Sequence, residues 1–241
     1  MKAKRPLLLG MFVVVLLVAL IALAGVASAA PEGSHGAKPV NWVSANFVCS
    51  PTADLPVWTM DAIYVEKLQN GTVRGLYLDQ SLGKPGPYSY RYSSRNFESA
   101  YWDAFQAARG LPSLSHAYFC HGANYPAALW PTYFWMGLPP TFATFANADI
   151  ADFVAYVPAD QLDPASRTLF PDSMPVRYVL MDFGRPCKAN DRYMAWIFVP
   201  SDPDHPNDPN TVWLWYPMSV PDDPVLFARG DIQVRVGAPD F

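Results

Sequence analysis

Proline is the residue that most limits what this chain can build. All but one of its 25 prolines lie beyond residue 30, at about twice the usual frequency. A proline ends helices and central strands because it lacks an N–H and clashes with the preceding turn. The carboxylates point the same way. Glu occurs only at Glu32, Glu66 and Glu98, so 18 of the 21 acidic residues are Asp, a residue of caps and turns rather than of helix faces. Aromatic side chains make up 15% of the chain, far too many for a disordered one. Short strands, long turns and an aromatic core follow, and a helical bundle does not.

The N-terminus reads as an export signal. Lys2, Lys4 and Arg5 precede an uncharged apolar run from Leu7 to Val26, and Ala27-Ser28-Ala29 supplies the small residues that a signal peptidase cuts after. We expect cleavage after Ala29. The run is also close to the roughly 20 residues that span a bilayer, so an uncleaved anchor is the competing reading. Both readings put the rest of the chain outside the cytoplasm, secreted, periplasmic or at the cell surface. The expected organisation is a signal at 1–29, a polar linker at 30–40 and a β-rich globular domain at 41–241.

Charge excludes one class of partner. The formal net charge is −4, and removing Lys2, Lys4 and Arg5 makes it −7. The 14 basic residues that remain of 17 show only the weak cluster Arg91 and Arg95. Phosphate neutralisation needs clustered Lys and Arg, so nucleic acid is not an expected partner. Cys49, Cys120 and Cys187 all fall in the exported part, where an oxidising compartment favours one disulfide and one free thiol. The spacing leaves three pairings open. Cys120 with Cys187 is preferred weakly, because both adjoin turns in the second half.

Along the chain, Val40–Cys49 reads as a strand. Ile63–Leu68 and Val73–Leu78 flank Asn70-Gly71, a strong hairpin signal. A loop is expected from Ser81 to about Ser93. The clearest helix spans Phe97–Arg109, with Asn96 as cap and Gly110 and Pro112 as stop. A second, shorter helix is expected over Asp149–Val157, followed by a surface connection from Pro158 to Pro175. Val176–Phe183, Arg192–Val199, Thr211–Pro217 and Ile232–Val236 read as strands. Arg192–Val199 is apolar on both faces and should lie centrally. The expected fold class is α+β: a mainly antiparallel sheet with one or two packed helices, in a single domain.

The most unusual segment is Gly110–Ala148, 39 residues without a single Asp, Glu, Lys or Arg and with five prolines. Its rings include Tyr125, Trp130, Tyr133 and Trp135. They form either an aromatic binding surface or the core under a Pro-rich connection. Trp135 between Phe134 and Met136 suits a core, and Trp130 beside Pro131 suits a surface. Trp213 and Trp215 share one face of a strand. Tyr125, Trp130, Tyr133, Trp213 and Trp215 are therefore the candidate ligand-binding residues. His116, Cys120 and His121 are good zinc or copper ligands. They stand without the further spaced ligands such a site needs, so no metal and no cofactor are assigned. The Asp/Asn-rich stretch 202–210 lacks the central Gly and final Glu of a calcium loop and reads as a hairpin loop.

No nucleophile elbow, metalloprotease helix or phosphate loop is present. The leading expectation is a non-enzymatic exported domain that binds a carbohydrate, an apolar ligand or an envelope protein through aromatic residues. An extracytoplasmic hydrolase built from His116, His121 and Asp side chains is the first alternative. A structural envelope subunit, held at the membrane by a retained N-terminal segment, is the second.

Overall fold

In the computed structural model the described residues are 38–49, 57–83, 89–129, 146–184, 191–208, 210–218 and 229–241. Residues Lys38–Phe241 form one compact unit. The strands are β1 (Pro39–Cys49), β2 (Trp58–Leu68), β3 (Val73–Leu82), β4 (Arg91–Ser94), β5 (Ala117–His121), β6 (Asp149–Pro158), β7 (Ser173–Asp182), β8 (Arg192–Pro200), β9 (Trp213–Pro217) and β10 (Arg229–Val236). Helices α1 (Ala100–Ala107) and α2 (Pro164–Leu169) fall between β4 and β5 and between β6 and β7. Where one sheet was expected there are two, ordered β10-β1-β2-β3-β4 and β5-β6-β7-β8-β9. Every pairing is antiparallel.

The two sheets face each other because alternate residues of each are apolar. Val43, Ala45, Phe47, Ile63, Val65 and Tyr77 of the first meet Phe153, Tyr178, Leu180 and Tyr193 of the second in one core. Ring pairs bridge the sheets: Phe47 to Tyr193 at 4.6 Å and Tyr77 to Tyr178 at 5.3 Å. The expected hairpin is present. Gly71 takes φ 85°, and the Thr72 N–H donates to the Asn70 side chain at 3.1 Å.

Several expectations are corrected. Asp149–Val157 is not a helix but β6, between β5 and β7. Every residue from Ile150 to Val157 is buried, on both faces, so the alternation that marks a strand is missing. Helix α1 starts later than expected. Ser99, not Asn96, caps it by accepting from Trp102 N–H. Asn96 is held extended instead, its carbonyl accepting from Tyr156 N–H at 2.9 Å. The loop expected from Ser81 contains β4, and the expected linker ends where β1 begins, at Pro39. The connection after Pro158 is ordered by α2, whose cap Asp163 accepts from Ala165 and Ser166 N–H, and by buried Leu162 and Phe170.

The outer face of the second sheet is covered in two parts. Trp102 of α1 donates its indole N–H to Ser173 O at 2.8 Å and packs on Phe198 and Trp213. Farther along, Tyr125 and Leu129 lie over Cys120, Ile150, Val179, Met181, Met194 and Trp196. This described part of the uncharged segment is core cover, the second of its two expected roles. Trp130, Tyr133, Trp135 and Cys187 lie outside the described residues. Cys49 and Cys120 are buried free thiols, so the disulfide preferred between Cys120 and Cys187 is not seen.

Candidate functional site

A groove of about 290 Å³ opens on the outer face of the second sheet. Its floor is Phe198 of β8 with Trp213 and Trp215 of β9. The three share a face because Phe198 and Trp215 are cross-strand partners and residues two apart on a strand point the same way. Trp213 is the foundation. Its ring lies 5.2 Å from both Trp102 and Phe105, and its indole N–H donates to Pro206 O at 3.1 Å. Trp215 touches Phe198 at 5.1 Å and is half-buried, with part of its ring open to the groove.

The facing wall is the turn that follows α1, from Leu111 to His116. Gly110 at φ 70° and Pro112 end the helix and swing the chain over the sheet. Asp103 on α1 then ties the turn down. Its carboxylate accepts from Ser113 Oγ at 2.5 Å and from Ser115 Oγ at 3.4 Å. Leu111 projects into solvent at 48% exposure, so the wall carries an apolar lip. Gln106 lines the groove from the helix. It is 5% exposed and donates to Pro112 O at 3.2 Å, and its Oε1 has no hydrogen-bond partner among the described residues. Apart from His116, the described lining contains no ionisable side chain.

Behind the groove sits a buried ion cluster. Asp152 accepts from Arg177 Nε and Nη2 at 2.9 and 2.7 Å, from Tyr125 Oη at 2.7 Å, and pairs with His116 Nε2 at 3.0 Å. Burial alone would raise its pKa, but Arg177 and His116 hold the carboxyl well below the usual range. Arg177 also donates to Leu129 O at 2.6 Å, which fastens the covering segment to the sheet. Tyr125 therefore belongs to the interior, at 6% exposure.

His116 is one of the two histidines of the hydrolase alternative, and it reaches the carboxylate of Asp152. Its Nδ1 faces Leu114 O at 2.9 Å and its Nε2 faces Asp152 at 3.0 Å. His121 pairs with Asp149 at an exposed edge. Cys120 and His121 point to opposite sides of β5, one buried and one exposed. No group of three His, Cys, Asp or Glu among the described residues is placed to hold a metal. In the 202–210 loop, Asp202 accepts from Asp204 and His205 N–H, and Asp208 from Asn210 N–H, so these carboxylates brace their own turns. Asp182 and Asp191 likewise accept from Val234 and Ile232 N–H and seam the two sheets together.

Of the candidate residues, the structure brings Trp213 and Trp215 into one site and puts Tyr125 beneath its neighbourhood. Phe198, Gln106 and Leu111 were not foreseen. A scan against protein-family models, a search of curated proteins and a search of solved structures each returned no match. Among the described residues no helix is long and apolar enough to cross a membrane.

Proposed function

We propose that this domain is a non-enzymatic binding module, acting outside the cytoplasm, whose groove takes an uncharged ligand with a flat apolar face. The observation that carries the reading is the floor itself: the indole of Trp215 beside Phe198, walled by Leu111 and Leu114, with His116 the only ionisable side chain among the described lining residues. Such a surface favours a ring that can lie on an indole, either an aromatic molecule or the apolar face of a sugar. Gln106 and Ser113 supply the polar edge. A membrane partner enters only through retention of the N-terminal segment.

Trp215 is the residue to test, because Trp213 supports α1 as well as the groove. The purified protein is titrated with the neutral fluorophore N-phenyl-1-naphthylamine and, separately, with neutral oligosaccharides, following tryptophan fluorescence. Trp215→Ala should weaken whichever probe binds by about tenfold, the worth of one stacking ring. The reading is lost if neither probe binds the parent protein, or if Trp215→Ala binds as well as the parent.

A further inference from the structure

A second cluster lies on the far side of the same sheet, buried between the two sheets. Asp61 of β2 and Asp79 of β3 are direct cross-strand partners, and both point at the second sheet. Each is 3% exposed. Among the described residues the titratable groups that face them are phenols and a thiol, with Tyr92 of β4 the direct cross-strand partner of Asp79. From β7, Tyr178 Oη donates to Asp61 at 2.8 Å. From the turn before β4, Tyr90 Oη donates to Asp79 at 2.9 Å, and from β3 itself Tyr77 Oη reaches Asp79 at 3.5 Å. From β8 and β1, Tyr193 and Cys49 hydrogen-bond each other at 2.9 Å beside the pair. Burial pushes the Cys49 thiol up to about 11 and the Tyr178 and Tyr77 phenols above their usual value, so none of these supplies a charge at neutral pH. Among the described residues no Lys, Arg or His forms an ion pair with either carboxyl.

Two buried carboxylates at cross-strand distance, without a cationic partner among the described residues, cannot both be ionised at acceptable cost. We propose that Asp61 and Asp79 share a proton and act as a pH-sensitive latch between the sheets, closed while the proton is held and loosened around Tyr90 and β4 when it leaves. Tyr178 and Tyr90 make the pair a latch rather than an isolated defect. One ties Asp61 to the opposite sheet, and the other ties Asp79 to the chain that leads into the edge strand. Ionising both carboxyls draws water into that seam, because the hydroxyls cannot satisfy two full charges.

The direction follows from proton linkage. Burial, and then the charge of Asp79, raises Asp61 well above the usual carboxylate range, and burial raises Asp79 to about 7. Between the ordinary unfolded value, about 4, and that folded value, the folded chain binds more protons than the unfolded one. Stability is therefore greatest near the acid end of this window and falls as pH rises through it.

The test is thermal unfolding of the purified protein across this range. The melting temperature should drop by roughly 5–10 °C between pH 5 and pH 8. Asp79→Asn keeps an acceptor for Tyr90 but removes the second ionisation, and should flatten the profile. Tyr90→Phe removes a donor that favours the charged form, and should move the fall to higher pH. That variant decides the matter if Asp79→Asn does not fold. A flat profile for the parent protein, an unchanged slope in Asp79→Asn, or an unmoved fall in Tyr90→Phe overturns the latch.

Discussion

Arg177 and Asp152 show how one pair of residues holds a covering segment in place. The carboxylate has no exposed surface and the guanidinium very little, so each exists as an ion only because the other is there. Arg177→Met leaves Asp152 buried with only His116 and Tyr125 as partners and should cost about 3–5 kcal/mol in urea unfolding. Combining it with Asp152→Leu should return part of that loss, because no orphaned charge remains. The pH sign is opposite to that of Asp61 and Asp79. Asp152 has a depressed folded pKa, so its contribution is complete above the unfolded value, about 4, and is lost as pH falls through the folded one. The two sites together place the stability maximum in mildly acidic solution.

At the scale of elements, the close approach of β10 to β1 leaves no room for a side chain at Gly230. A Cβ on Gly230 would stand 2.2 Å from Asn46 O, and the residue sits at φ 141°, where side chains are strained. Gly230→Ala should therefore destabilise the domain by roughly 1–3 kcal/mol, read by thermal unfolding. Elements with an open face were legible from residue order: the Asn70-Gly71 hairpin, β1, and β10 with Gln233 and Arg235 outward. The strand β6 was not, because burial on both faces erases alternation and its alanines suit a helix equally well. The split into two sheets was not legible either, since it depends on which strand ends are bridged by α1 and its turn. Half of the groove could be read. Trp213 and Trp215 are two apart and had to share a face, whereas Leu111, Gln106 and Phe198 meet them only through the folded sheet. Tyr125 looked like a surface ring because its segment is uncharged. Its hydroxyl instead serves a charge hidden 27 residues away.

For the whole molecule, the last described residues act as a strap across both sheets. Asn41 of β1 exchanges hydrogen bonds with Gly237 and Ala238, at 2.7–2.9 Å. Asp240 exchanges backbone and side-chain bonds with Phe119 of β5, both at 2.8 Å, and forms an ion pair with Lys67 of β2. Asp240→Ala removes the carboxylate from both partners and should cost about 1–3 kcal/mol in chemical unfolding. The mid-chain variant Asn210→Ala, on an exposed loop, should change little by comparison.

This strap also sets an order of events. The first strand of the domain pairs with its last, and residue 240 fastens strands that lie more than a hundred positions earlier. A chain emerging from its N-terminus thus keeps β1 open along one edge until the final strand arrives, and such long-range closure is slow. Closure of the first sheet therefore waits on the pairing of β10 with β1.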